Sequence, residues 1–529
     1  MNHYKQNPYI KGAFLLTFAG LISKILSASY RIPLQNLTGD LGFYIYQQIY
    51  PIIGIVLILT LYGFPSAISR IVVDLEDQGN TISVKSFFLP ILFILIIFSF
   101  ILCTVFYFGS PFFVAYIGDI NLIHIYEHVP FIFLFLPFVV ILRGIYQSKG
   151  NMKPTAISQI GEQIVRVIVI IVSAYFIAYK QVDIYDIGKA GIYASIVGLG
   201  VANLILLFYL RKDKWLTNER FSIPWRNYTY MLFTLGVIGT LNHMILLLFQ
   251  FVDLFTLLPG LVEYGLQTTK AMSEKGIFDR GQPLIQLGTV IGSSFALAII
   301  PSISKERLRQ WKTSSYHHIR LTVAYSFYLA IGATIGLMII FPETNQLLYQ
   351  NTIGTFSLRI LSMTIFFSTM VVTGATILQG FGYIKQTALF IILAIILKGV
   401  LNEILVPIYG ISGSALATVV GMGFLFTLLY QKLRRLLPNI SLKNTIHWIG
   451  VSRAILVMSI YLFIVKFISP SITEIPRSGL FLYVLFIVFS GSIIYLFTLI
   501  RNNVFTEEEL AIAPFSSILI RMYKGRDKR

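Results

Sequence analysis

Charged residues and cysteine are both scarce in this chain of 529 residues. Asp, Glu, Lys and Arg together make up 12% of the sequence, against about 25% in ordinary globular proteins. Hydrophobic residues make up 56%, so a single soluble core is excluded and a membrane protein is indicated. The one cysteine, Cys103, lies in an apolar run. An intrachain disulfide is therefore excluded, and we expect Cys103 to be a small buried hydrophobe.

Motifs of the common enzyme and metal-binding classes are also lacking. The sequence contains no metal-ligand spacing, no P-loop and no nucleophile motif, and its loops are too short for an ATPase domain. These absences predict a protein that is not an enzyme and that holds no metal or cofactor. Any energy that the protein uses would come from an ion gradient, from the membrane potential or from the substrate itself.

Apolar runs of about 20 residues occupy most of the chain. Continuous runs of this length predict transmembrane helices rather than the short alternating strands of a barrel. We therefore expect an all-α polytopic membrane protein with about 14 transmembrane helices. The predicted spans lie near residues 11–30, 43–65, 86–108, 128–147, 155–178, 188–210, 229–254, 282–303, 319–341, 355–379, 384–404, 411–431, 446–467 and 478–500.

Basic residues are concentrated in alternate loops, and the formal net charge of the chain is +18. With the segments after spans six, eight and twelve and the C-terminal tail placed inside, roughly 28 Lys and Arg residues fall inside and roughly 8 outside. This bias predicts that both termini face the cytoplasm. It also attributes the positive charge to topology and contact with membrane lipids, not to nucleic acid. The N-terminus lacks a small-residue cleavage site, so we expect the first span to be retained.

A weak internal repeat divides most of the chain into two halves. QSKGNMKPTA at 147–156 matches QGFGYIKQTA at 379–388, and ASIVGLG at 194–200 matches ATVVGMG at 417–423. Because six predicted helices separate the copies, the halves share one orientation, as in a parallel repeat of two six-helix lobes around a central site. The predicted regions are an N-lobe at 1–215, a C-lobe at 216–440, two additional C-terminal helices at 441–503 and a cytoplasmic tail at 504–529. The tail pattern Thr506-x-x-Glu509 favours either a short interfacial helix or a solvated extension.

Two cations seven residues apart lie in the run Lys11–Leu37, which otherwise reads as the first membrane-spanning helix. Lys24 and Arg31 are separated by about two helical turns and therefore share one face. A charge in the hydrocarbon costs about 2.5–3.5 kcal/mol on insertion scales, so such residues usually face a watery cavity and contact a polar ligand. Arg31 lies near the outer interface, where snorkelling to the membrane surface is the alternative.

Further charged residues fall at membrane depth in spans five and eleven. Glu162 and Arg166 are spaced i, i+4, so they either neutralise one another or Glu162 directs Arg166 toward a ligand. In the repeat, Arg166 corresponds to Lys398, which either contacts the ligand or pairs with a carboxylate from another helix, because Glu403 at i+5 is badly placed. His243, in span seven, is expected to be a packing residue.

A cluster of guanidinium and ammonium groups suits a phosphate ligand. Arginine binds phosphate through two parallel hydrogen bonds and lysine binds it as a point charge. A low dielectric strengthens each contact. An exporter of cationic drugs would instead need a carboxylate in the first span, so the pattern indicates an anionic ligand.

Three segments carry a resemblance to a known family: Leu21–Lys24 with Tyr30–Leu34, the run from Arg143 to Arg166, and Asp279–Pro283 with Pro301. On these residues the chain resembles the stage V sporulation protein B and polysaccharide-exporter branch of the multidrug/oligosaccharidyl-lipid/polysaccharide flippase superfamily. It is also similar to the lipid II flippases of that superfamily. The resemblance covers essentially the whole chain. It implies export of lipid-linked glycans and a V-shaped pair of lobes around a cationic central cavity.

The resemblance also implies ligand-binding residues. In lipid II flippases two arginines of the first span line the cavity, and Lys24 and Arg31 stand at about those positions. The Asp-Arg pair before span eight falls on Asp279 and Arg280, whereas Gln282 stands where a glutamate would follow. Lipid II flippases also have an arginine in span two, and this chain has no counterpart of it. These departures leave undecaprenyl-pyrophosphate glycolipids as the implied substrate class without fixing the glycan.

The hypothesis from the sequence is a flippase that moves an undecaprenyl-pyrophosphate-linked oligosaccharide from the inner to the outer leaflet of the bacterial cytoplasmic membrane by alternating access. The prenyl chain of the substrate would lie against spans 13 and 14. If transport is coupled to an ion, that ion is Na⁺ or H⁺. The alternatives are a multidrug or cation-coupled antiporter of the same superfamily, a non-transporting scaffold of cell-envelope assembly, and a membrane-bound glycan polymerase. The expected substrate-binding residues are Lys24, Arg31, Gln48, Glu162, Gln163, Arg166, Arg280 and Lys398.

Overall fold

The computed structural model describes residues 8–180, 182–213, 215, 217–299, 312–438, 440–469, 475–507, 510, 520 and 523. Apart from one isolated β-bridge between Ser83 and Thr217, these residues form helices and the segments that join them. The all-α fold class predicted from the apolar runs is confirmed.

The described residues contain twenty α-helices. The first ten are α1 (Pro8–Ser29), α2 (Arg31–Ile58), α3 (Phe64–Asp77), α4 (Leu89–Ile117), α5 (Ile123–Tyr126), α6 (Leu136–Ser148), α7 (Lys153–Lys180), α8 (Asp186–Asp213), α9 (Trp225–Gly236) and α10 (Leu241–Glu263). The others are α11 (Thr268–Asp279), α12 (Gly281–Ile299), α13 (Lys312–Tyr349), α14 (Thr355–Ser362), α15 (Thr364–Gly380), α16 (Ile384–Tyr409), α17 (Ile411–Leu436), α18 (Leu442–Thr445), α19 (Trp448–Ile468) and α20 (Arg477–Arg501).

The chain divides into two compact units. Unit 1 comprises residues 1–283 and 384–414, and unit 2 comprises residues 284–383 and 415–529. Unit 1 thus contains α1 to α11 together with α16. The predicted lobes rest on the sequence repeat and not on contacts between helices, and their boundaries stay a prediction.

Helix α2 runs through the centre of unit 1 and is bent at Gly39. Gly39 has φ +70° and ψ −172°, a conformation that glycine adopts without steric cost. After the bend, every side chain from Gly42 to Gly54 is buried, because α2 packs on α7, α8, α10 and α11. Burial on all faces is typical of a helix surrounded by protein. A π-helical segment, Leu59–Gly63, then joins α2 to α3.

Small hydroxyl side chains join the helices of unit 2. The hydroxyls of Thr289 on α12 and Ser368 on α15 lie 2.6 Å apart. Thr373 on α15 donates a hydrogen bond to the hydroxyl of Ser326 on α13 at 3.0 Å. Small residues of this kind let membrane helices approach closely and hydrogen bond to one another.

An apolar cavity of about 410 Å³ lies within unit 2. Its wall is formed by side chains of α12, α13, α15, α19 and α20, among them Leu284, Leu337, Met458 and Leu496. The last two helices correspond to predicted spans 13 and 14. The sequence predicts that these two helices contact a prenyl chain, and that contact stays a prediction.

Within the described residues, 12 helical segments are long and apolar enough to cross a membrane. The first, Phe18–Asp77, is 60 residues long and covers two predicted spans, while predicted span eight extends beyond the described residues. The chain is a multi-pass membrane protein, and the predicted count of about 14 spans stays a prediction. Pro301 and Glu509 lie outside the described residues.

Cys103 is half-buried on α4, so it is less buried than expected. The reason is that α4 leaves many of its large apolar side chains exposed, as a helix facing lipid does.

Candidate ligand-binding site

Lys24 lies on α1, and its side chain is half-buried. Among the described residues, no carboxylate lies within ion-pair distance of its ammonium. Helix α1 itself contains no Asp or Glu and packs mainly on α7. Lys24 therefore has no counter-ion in the part of the chain that the structure describes, and its side chain is not fully enclosed.

Glu162, on α7, is shared by two arginines. Its Oε1 accepts a hydrogen bond from Nη2 of Arg166 at 2.6 Å, and its Oε2 accepts one from Nη2 of Arg143 at 2.8 Å. All three side chains are almost fully buried. The i, i+4 ion pair expected from the sequence is thus present, and one carboxylate compensates only one of the two positive charges.

Arg143, on α6, was not among the expected ligand-binding residues. Besides Glu162, its guanidinium donates to the hydroxyl of Ser158 at 3.2 Å and to the carbonyl oxygen of Thr60 at 3.2 Å. Thr60 belongs to the π-helical segment Leu59–Gly63. The position of Arg143 inside predicted span four is the signal that would have marked it as an intramembrane charge.

Arg31, the first residue of α2, is enclosed by aromatic side chains. Its guanidinium lies 3.8 Å from the ring centroid of Tyr50 and donates to the hydroxyl of Ser27 at 3.3 Å. Nearby, the hydroxyls of Tyr30 and Tyr46 are hydrogen bonded to each other. Because the Arg31 side chain is completely buried, it does not snorkel to a membrane surface.

Lys398 on α16 has its counter-ion on another helix, which is one of the two alternatives left by the sequence. Its ammonium lies 2.9 Å from Oδ1 of Asp253 on α10 and donates to the hydroxyl and the carbonyl oxygen of Ser414, each at 3.0 Å. Asn402 donates to the same Asp253 oxygen at 2.7 Å. These groups are buried, so this cation is neutralised within unit 1.

Arg280 forms a bidentate ion pair with Asp40, which follows the bend in α2. Its Nε lies 2.8 Å from Oδ1 and its Nη2 lies 2.6 Å from Oδ2 of Asp40. On α11, Lys275 and Asp279 form a second, looser pair at 3.8 Å. Arg280 is completely buried, and neither Asp40 nor Lys275 was predicted to take part.

The two expected glutamines are also buried. Gln48 on α2 is completely enclosed, and Gln163 on α7 is 5% exposed. The Nε2 of Gln163 and the Nε of Arg166 have no hydrogen-bond partner among the described residues. A buried donor without a hydrogen-bond acceptor costs about 1–3 kcal/mol. These two N–H groups therefore mark a place where they would donate to an oxygen of a water or a ligand.

Apart from Gln48 on α2, the expected residues fall into two groups. Glu162, Gln163 and Arg166 lie together on α7, the helix against which the helix of Lys24 packs. Arg31, Arg280 and Lys398 form the second group, each with buried partners of its own in unit 1. The described residues contain no cluster of His, Cys, Asp or Glu suited to a metal ion. The first group offers cations and amide donors and is chemically matched to an anionic ligand that also carries hydroxyl groups.

Two solved structures share the fold of this chain. The fold matches that of the lipid II flippase MurJ in an inward closed conformation with a TM-score of 0.64 at 13% identity, covering 92% of this chain and 98% of that one. An inward-facing MATE-family multidrug transporter of the MOP superfamily matches with a TM-score of 0.60 at 12% identity, covering 79% and 95%. The chain therefore shares its fold with these two solved structures.

The family follows from the sequence matches. Residues 9–307 match the model of the family described as "Polysaccharide biosynthesis protein", and the chain belongs to this family. The uncharacterized membrane protein YabM of Bacillus subtilis (strain 168) is 34% identical over 98% of this chain and 97% of its own length. From the same organism, stage V sporulation protein B is 26% identical, covering 82% and 85%. The lipid II flippase MurJ is 24% identical, covering 80% and 81%. The resemblance inferred from the motifs is confirmed.

Proposed function

We propose that this protein is a flippase that carries an undecaprenyl-pyrophosphate-linked oligosaccharide from the inner to the outer leaflet of a bacterial cytoplasmic membrane. Both termini would face the cytoplasm, as the loop charges predict. The glycan is a lipid II-like cell-wall precursor or a related polymer unit. The membership in the polysaccharide biosynthesis protein family supports this class of substrate.

The observation that carries the proposal is the state of Lys24. Its side chain is half-buried, and its ammonium faces no carboxylate within ion-pair distance among the described residues. Within a membrane helix a cation without a counter-ion is costly, and the low dielectric strengthens its attraction to an anion. Binding of an anionic ligand to Lys24 is therefore favourable. The absence of Asp and Glu from α1 disfavours the antiporter of cationic drugs, which needs a negative charge there.

The pyrophosphate would contact Lys24 first and Arg166 next. Arg166 keeps a free Nε donor, and Glu162 shares its charge with Arg143, so this group holds excess positive charge. Gln48 and Gln163 would meet the sugar hydroxyls. Arg31, Arg280 and Lys398 are paired or enclosed in this structure, and they would reach the substrate only after those contacts rearrange during transport.

The prenyl chain would remain against the helices of unit 2. The cavity walled by α12, α13, α15, α19 and α20 is apolar and offers the surface that an isoprenoid prefers to water. The headgroup alone would then cross the membrane. Moving one elementary charge through 100 mV is worth about 2.3 kcal/mol, so an inside-negative potential favours outward movement of the anionic headgroup, with or without a coupled Na⁺ or H⁺.

The test is transport in proteoliposomes that contain a defined, fluorescent undecaprenyl-pyrophosphate glycan. We expect Lys24→Ala to abolish translocation and Lys24→Arg to retain much of it, because the positive charge is what the site needs. Lys180→Ala, at the exposed end of α7, is the matched control and should transport normally. Full activity of Lys24→Ala would refute the proposal, and a scaffold protein would give no translocation with any variant.

A further inference from the structure

Tyr62 and His243 form a stacked pair of rings in unit 1. Their centroids lie 4.6 Å apart and their planes are inclined by 13°. Tyr62 belongs to the π-helical segment Leu59–Gly63 and is half-buried, whereas His243, on α10, is exposed. Single π-helical turns occur often at functional sites, because the additional residue redirects a side chain out of the regular helix surface.

The ring pair lies beside Lys24. Gly20 is one turn before Lys24 on the same face of α1. A Cβ at Gly20 would lie 2.8 Å from the Tyr62 hydroxyl and 3.8 Å from Nε2 of Gln159. Glycine at this position therefore lets α1 approach the phenol closely. The ammonium of Lys24 is also near enough to act electrostatically on the imidazole of His243.

The polar atoms of this cluster point to a ligand with hydroxyl groups. Among the described residues, the His243 ring makes no hydrogen bond, and an exposed imidazole within a membrane helix is expensive if it faces acyl chains. A flat, accessible pair of rings with an amide and a phenol at its edge suits a pyranose ring. The ring faces carry partial negative charge, and the C–H groups of a pyranose are weakly positive, while its hydroxyls need donors and acceptors.

We propose that the stacked Tyr62–His243 pair is a sugar subsite beside Lys24, which binds the first sugar attached to the pyrophosphate of the lipid-linked glycan. This inference rests on the proposed function, and it assigns His243 a role in binding the substrate where the sequence alone indicated packing. Lys24 binds the phosphate of any such lipid, and the ring pair distinguishes a glycosylated lipid from a bare one.

The experiment compares two probes on the full-length protein in detergent. The probes are farnesyl pyrophosphate and the same lipid with one N-acetylglucosamine on its terminal phosphate, and calorimetry gives both affinities. The wild type should bind the glycosylated probe roughly three- to tenfold more tightly, the range expected for one stacking contact. His243→Ala and Tyr62→Ala should each remove this preference and leave binding of farnesyl pyrophosphate nearly unchanged. His243→Phe, which keeps a ring, should preserve most of the preference.

Two controls separate the possible failures. Tyr179→Ala removes one ring of the exposed pair Tyr175–Tyr179 on α7, whose centroids lie 4.3 Å apart, and it should keep the full preference. Lys24→Ala should weaken the binding of both probes by the same factor. If Lys24→Ala weakens both probes but His243→Ala keeps the preference for the sugar, the subsite is wrong and the proposed function stands. If Lys24→Ala leaves both affinities unchanged, the proposed function itself is wrong. Because His243 is exposed, its variants test the proposal even if Tyr62→Ala does not fold.

Discussion

The ammonium of Lys398 lies 2.9 Å from a carboxylate oxygen of Asp253, and both side chains are almost completely buried. The two charges come from α16 and α10, which pack closely within unit 1. Removing one partner of such a pair leaves an uncompensated charge in a low dielectric, which typically costs about 3–5 kcal/mol. Removing both partners leaves no charge to compensate.

Lys398→Met and Asp253→Asn should therefore each destabilise the protein strongly, and the double variant should recover part of the loss. Thermal unfolding of the purified protein in detergent, followed by intrinsic fluorescence, measures the three melting temperatures. Coupling between the sites is read from the double-mutant cycle. Losses that simply add would mean that the two charges do not stabilise each other.

The two arginines on Glu162 should differ in their importance for stability. Arg143 donates to a carboxylate, a hydroxyl and a backbone carbonyl, and hydrogen bonds that involve a charged group are worth about 1.5–3 kcal/mol each. Arg143→Gln should thus lower the melting temperature more than Arg166→Gln, which should mainly impair transport. The reverse order of the two melting temperatures would contradict this assignment.

Gly276 on α11 should not tolerate a larger side chain. A Cβ at Gly276 would overlap the backbone carbonyl oxygen of Asp40, so Gly276→Ala must push α11 away from α2 and loosen the Arg280–Asp40 ion pair. Gly200→Ala on α8, where nothing lies within 4 Å of the added Cβ, is the matched control. We expect a clear fall in melting temperature for the first variant and none for the second. Equal stability of both would show that α11 is free to shift.

Asp119, in the segment after α4, should give the protein a pH-dependent stability. Burial raises the pKa of its carboxyl above the ordinary value, although hydrogen bonds from Tyr185 and Tyr44 act in the opposite direction. A carboxyl whose pKa is higher in the folded protein binds more protons there than in the unfolded chain. Its contribution to stability is therefore complete below the ordinary pKa of about 3.9 and is lost as the pH rises through the folded value.

Raising the pH from 4 to 7 should accordingly lower the melting temperature of the wild type relative to Asp119→Asn. The asparagine variant lacks the titrating group and retains a similar shape, so the difference between the two curves isolates Asp119. A difference that stays constant over this pH range would rule out the assignment.

The amino-acid sequence alone predicted the all-α membrane fold, because apolar runs of about 20 residues have no stable alternative in lipid. It also singled out Lys24 and the Glu162–Arg166 pair, since these charges are close in the chain and helical geometry fixes their spacing. The family was visible in the motifs around Arg143 to Arg166, although Arg143 itself was overlooked as an intramembrane charge.

The tertiary structure decided which cations are available to a ligand. Arg280 finds Asp40 at a separation of 240 residues, and Lys398 finds Asp253 on another helix. Local periodicity carries no information about such partners, because they depend on which helices pack together. The stacking of Tyr62 on His243 arises in the same way. Composition and spacing fixed where the charges enter the membrane, and helix packing determined which of them stay uncompensated.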